Sequence, residues 1–104
     1  MTESFTRIDP GDELGKKLQF TKDKFRGYLT LVDNTVYISA IESRKPGRHN
    51  LTYLFNRITS LGYTIKVPSP FPKMESIVRT KGFVRTTEYS PELQVDIDVW
   101  VKEP

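Results

Sequence analysis

The chain has 104 residues, enough for one domain with a modest core, and its 37% hydrophobic and 28% charged residues fall in the ordinary globular range. It holds no cysteine and a single histidine, His49, which removes disulfides, thiolate zinc, a cysteine nucleophile and any multi-histidine metal centre. Sixteen Lys and Arg against 13 Asp and Glu leave a formal charge of +3, too small a surplus to point to nucleic acid. No apolar run approaches the roughly 18 residues of a membrane span and no signal peptide opens the sequence, so a cytoplasmic protein with no membrane partner is expected.

One domain over residues 1–104 is expected, with no internal repeat. Residues 1–24 form a weakly defined N-terminal segment. Residues 1–12 are polar and carry Pro10-Gly11, which predicts loose chain tethered by Phe5 and Ile8. Leu14 and Leu18 could line a short helix within 12–24, although Gly15 weakens it. Phe25 to Val32 and Val36 to Ile41 are rich in β-branched and aromatic residues at period two, and Asp33-Asn34 between them is a turn signal. They predict an antiparallel hairpin. After the loop 42–50, Leu51, Leu54, Phe55, Ile58 and Leu61 recur at helical spacing, with Asn50 as N-cap and Gly62 as stop.

Tyr63, Ile65 and Val67 alternate as a strand that Pro68-Ser69-Pro70 ends. Pro72 suits the first turn of a second helix, with Met74, Ile77 and Val78 on its apolar side and Gly82 beyond it. Phe83 to Tyr89 and then Val95, Ile97, Val99 and Val101 predict two closing strands. Asp96 and Asp98 need no role beyond the polar face of the last strand, and Trp100 on the same face could cover an acceptor site or a dimer contact. The order is β-β-α-β-α-β-β, an α/β (α+β) sandwich with a mixed, mostly antiparallel sheet.

Chemistry concentrates in residues 44–50. A strand end, a basic loop with a glycine, and a helix start follow one another there. The free N–H groups of a first helical turn, carrying roughly half a positive charge, attract phosphate. Gly47 lets backbone approach an anion, and Arg44, Lys45 and Arg48 add positive charge.

Arg44-x-x-Gly47-x-His49 before this helix resembles the Arg/Gln-x-x-Gly-x-Gly/Ala signature of the Gcn5-related N-acetyltransferases, the GNAT superfamily. Met74 to Phe83, a short helix closing in Lys81-Gly82-Phe83, is similar to that family's second landmark, and the resemblance spans about residues 25–101. It implies a GNAT-like acyl-CoA N-acyltransferase fold and direct transfer of an acetyl group from acetyl-CoA to a primary amine, the acceptor being a small molecule or a protein lysine. It also implies that Ala40 and Ile41 lie beside the pantetheine arm and that Arg44, Lys45, Gly47, Arg48, His49 and Asn50 surround the pyrophosphate. Ser69 and Phe71 would face the same gap. No metal is implied. Glu42, at the end of the strand beside the thioester, is the candidate base, since an amine of pKa about 10.4 must lose a proton. His49 stands where the family has a small residue. Val78 stands where many members have the tyrosine that protonates the leaving thiolate.

Two other functions are compatible with the residues. One is a binding or inhibitory module that keeps the fold without catalysis. The other is a small nucleic-acid-binding domain using Arg44, Lys45 and Arg48, which lacks the interleaved aromatics of a stacking platform. A chain this short could also complete its acceptor site as a homodimer.

Overall fold

The computed structural model describes residues 5–45 and 49–104. Its elements in chain order are β1 (Phe5–Ile8), α1 (Glu13–Lys17), β2 (Phe25–Val32), β3 (Thr35–Ser43), α2 (Asn50–Ser60), β4 (Thr64–Pro68), α3 (Pro72–Thr80), β5 (Val84–Ser90) and β6 (Val95–Lys102). The strands form one six-stranded sheet in the order β1-β2-β3-β4-β6-β5. Neighbours are antiparallel except β3 and β4, which are joined by the α2 crossover and run parallel. The domain is therefore α+β, with a mixed sheet and three helices among the described residues.

Register sorts the sheet into two faces. Ile8, Leu29 and Ile38 stand opposite one another across β1, β2 and β3, and Val36 with Ile65 and Val67 with Trp100 continue that face. All are buried, and they form one cluster with Leu54, Phe55 and Ile58 of α2 and Val78 of α3. Phe55 meets Phe83 edge to face at 5.0 Å between ring centres. Leu14, Leu18 and Phe20 bring the α1 region onto the same side. Arg57 Nε ties α2 to α1 by donating to the Lys17 carbonyl at 2.7 Å, and Lys102 Nζ donates to the Lys81 carbonyl just past α3 at 2.6 Å.

The other face carries the row Arg7, Thr30, Tyr37, Lys66, Val101 and Val84, one residue from each strand, and no described helix packs on it. Lys66 on β4 reaches Glu88 on β5 at 2.8 Å across the intervening β6. Val99 of β6 is on the same face and is only 2% exposed, although no described helix packs there. The hydrogen bond to the Glu88 carboxylate raises the Lys66 pKa from its ordinary 10.5, against the opposing effect of burial. A raised folded-state pKa adds stability that is fully present below pH 10.5 and is lost as pH rises through the higher folded value. Because the pair is partly solvated, its worth is under about 1 kcal/mol. Urea unfolding of wild type and Lys66→Met should show this margin at pH 8 and a smaller one at pH 11.5. An equal margin at both would mean that the contribution is packing alone.

Three expectations are corrected at the N-terminus and in the last strand. Phe5 to Ile8 is not loose chain, because β1 pairs along its whole length with β2; Ile8 is buried, whereas Phe5 is 68% exposed and tethers nothing. Gly15 does not weaken α1. It is buried where a Cβ would lie 2.9 Å from the carbonyl oxygens of both Asp9 and Phe20, so the bend from β1 into α1 needs it. Trp100 is a core residue rather than a surface one, 6% exposed, with the Arg79 guanidinium 5.9 Å over its ring. Asp98 shares the helix-side face with Trp100, where Arg85 of β5 holds it at 2.9 Å.

Candidate functional site

β3 has two kinds of partner along its length. It pairs with β2 from end to end, but with β4 only over Thr35–Tyr37 against Thr64–Lys66. Beyond Tyr37 and Lys66 the parallel pairing stops, while β3 runs on to Ser43. In the same stretch β3 carries a bulge. Tyr28 is opposite Ala40 but Leu29 is opposite Ile38, so Ser39 is one residue too many. The bulge shifts the alternation. Below it Val36 and Ile38 face the helices; above it Ile41 and Ser43 do, where an unbroken strand would have turned Ala40 and Glu42 inward. Gly27 makes the bulge possible. It has φ +97°, and a Cβ there would lie 1.8 Å from the Ala40 carbonyl oxygen.

A cavity of about 350 Å³ opens between the upper end of β3, the start of α2 and one side of α3. Its apolar wall is Ile41, Leu51, Met74 and Ile77, with Phe71 at the mouth, 83% exposed. Its charged residues are Lys45, Lys73 and Lys81 against Glu42 alone, and His49 is beside them. The first turn of α2, an 11-residue helix, holds no acidic residue to offset the positive end of its dipole. Asn50 is the buried polar residue among those described, at 9% exposure, and it lines the cavity. Among the described residues no side-chain nitrogen or oxygen is both fully buried and without a partner, so the Asn50 amide is not an orphaned group.

The sequence-derived site residues divide accordingly. Ile41, Glu42, Lys45, His49, Asn50 and Phe71 line the cavity together. Ala40 and Ser69 do not. Ala40 is exposed just above the bulge, and Ser69, at φ +41°, donates its N–H to the Asp98 carbonyl at 2.8 Å. Arg44 is also off the cavity; its N–H donates to the Lys24 carbonyl at 2.7 Å and its Nε to the Phe25 carbonyl at 3.4 Å, so it closes the β2–β3 ladder instead. Gly47 and Arg48 lie outside the described residues. Asn50 is not the N-cap. His49 takes that position in the left-handed region at φ 60°, its carbonyl accepting the first helical bond from Tyr53 at 3.0 Å. The helix begins one residue earlier than the cap signal implied, so Asn50 is its first helical residue and lines the cavity.

Sequence reasoning missed Lys73 and Lys81. Lys73 in α3 and Lys81 at its C-cap, at spacing eight with Ile77 midway, fall on one side, a pattern that reads as a solvated helix edge until the fold sets α3 across from α2. Among the described residues no group of three His, Cys, Asp or Glu side chains is placed to hold a metal ion, and no helix is long and apolar enough to cross a membrane. No family model matches the chain, and neither curated proteins nor solved structures yield a match.

Proposed function

We propose that the protein is an N-acetyltransferase with a GNAT-like fold that uses acetyl-CoA and transfers the acetyl group directly to a primary amine. The observation that carries this reading is the head of α2, where Asn50 begins the helix and opens onto an apolar cavity with a lysine rim. Such a site suits a ligand that is anionic at one end and apolar along its length. The diphosphate lies against the first turn of α2 and the Asn50 amide, within reach of Lys45, Lys73 and Lys81. The pantetheine arm runs along Ile41 and Met74 toward the place where β3 and β4 part. The resemblance of residues 44–49 and 74–83 to the family's two landmarks supports the same orientation.

In the reaction, the amine nitrogen attacks the thioester carbonyl. Glu42 lines the end of the cavity, although the strand alternation turns its side chain to the other sheet face, and it takes the amine proton through water. The tetrahedral intermediate then expels CoA as its thiolate. Val78 is fully buried and has no proton to give, so the thiolate is protonated from solvent. Holding the two reactants together supplies much of the acceleration.

Val78 also favours a second reading, a module that binds CoA without turnover. Two measurements separate the readings. Calorimetry with acetyl-CoA up to high micromolar should show one site per chain; no heat of binding removes both. If binding is found, release of free thiol in the presence of an amine panel identifies the transferase, and its loss in Glu42→Gln with binding intact identifies the base. Binding with no thiol release from any amine leaves the module.

A further inference from the structure

The two edges of the sheet are unlike. β1 is four residues long, whereas β5 has seven and closes the sheet on the other side. β5 is exposed on both faces, with Val84 at 68% and Tyr89 at 61%, so α3 does not extend over it. Its register with β6 is regular from Val84 to Ser90, without a bulge, and it contains neither proline nor lysine. Apart from the Ser90 carbonyl, which accepts from Gln94 in the turn, its backbone groups find partners only in β6 among the described residues. An unprotected edge of this length is a template for another strand.

We propose that the strand it takes is β5 of a second copy, in an antiparallel pair with Thr87 on the two-fold axis. A two-fold perpendicular to the sheet keeps both helix layers on one side, so facing residues must come from the same face and their numbers must sum to an even value. Full overlap of the seven residues then selects Thr87 as centre. This register sets Arg85 against Tyr89, Thr86 against Glu88 and Val84 against Ser90, so no like charges face each other. Moving the centre to Glu88 would put two carboxylates in contact, and moving it to Thr86 would put Val84 against Glu88. In the selected register the uncovered sheet face gains a continuous row of Val95, Ser90, and then Val84 and Val101 of the second copy. Among the described residues, four of the eight exposed large hydrophobic side chains, Val84, Tyr89, Leu93 and Val95, belong to this β5–β6 hairpin and its turn. The product is a continuous twelve-stranded sheet, and its formation is independent of the transferase reading.

Sedimentation equilibrium tests it on the full chain. Wild type should show twice the 12.0 kDa chain mass at several hundred micromolar, and Thr87→Lys, which brings two ammonium groups together on the axis, should sediment at 12.0 kDa. Thr87 is exposed, so circular dichroism of that variant should match wild type. Because the chain has no cysteine, Thr87→Cys provides a second measurement that does not depend on the lysine variant. Its thiols should join two copies on mild oxidation, whereas those of Thr6→Cys on β1 should not. A wild type that stays at 12.0 kDa at this concentration, a Thr87→Lys variant that remains dimeric, or equal cross-linking from both edges would overturn the proposal.

Discussion

Gly27→Ala should destabilise the domain by about 3–5 kcal/mol, a large part of the roughly 5–15 kcal/mol expected for a domain of this size. Two costs combine. Alanine at φ +97° is strained, at about 1–2 kcal/mol. Its methyl would also sit 1.8 Å from the Ala40 carbonyl oxygen and 2.9 Å from the Ile41 Cα, both backbone atoms that move only if β3 leaves its ladder. Gly62→Ala separates the terms. Gly62 has φ +91° but nothing within 4 Å of its would-be Cβ, so that variant should lose the strain term alone. Thermal unfolding reads both, with Gly27→Ala expected to melt roughly 15–30 °C below wild type and Gly62→Ala within about 10 °C of it. Equal losses at the two glycines would mean that contact with β3 is unimportant. Because Ile41 stands opposite Gly27 and lines the cavity, any Gly27→Ala protein that folds should also bind ligand less well.

The second large effect is on binding. Lys73→Glu with Lys81→Glu reverses two charges of the cavity rim and should weaken acetyl-CoA by roughly 100-fold, taking about 1–2 kcal/mol for each reversal in partly solvated surroundings. Neither side chain has a protein acceptor among the described residues, and the hydrogen bond that the Lys81 carbonyl accepts from Lys102 is a backbone matter, so the fold should survive. Binding to wild type should also weaken as salt is raised, and the double variant should show a shallower dependence. Affinity unchanged by both substitutions would move the anion away from α3 and out of this cavity.

How far the residues announced this arrangement depended on what each element rests on. Periodicity carried the β2–β3 hairpin, α2, α3 and the closing strands, because each has several apolar positions on one face. β1 is too short to show a period; it forms because β2 offers it an edge. The bulge at Ser39 left no mark in the alternation of Val36 to Ile41, since Ile38 and Ile41 both remain apolar on either side of it. Gly27 was its visible trace. In the site, the start of α2 could be read from capping chemistry to within one residue. The missing residue decided whether Asn50 capped the helix or faced the cavity. The α3 lysines belong to the site only through tertiary placement, which spacing along one helix cannot supply.

The parting of β3 from β4 gives the sheet a third edge, and this one is internal. Adjacent paired strands stand about 4.8 Å apart, and a gap that widens to twice that distance admits one extended chain and nothing thicker. An outer edge accepts any strand that diffuses to it. The inner edge of β3 begins past the Tyr37–Lys66 rung, with β4 as its neighbour at that end. A gap of that width would exclude another protein's sheet while leaving backbone donors and acceptors to a slender linear ligand. The same unfinished pairing that would invite aggregation on the outside would, inside the sheet, select what enters by its shape.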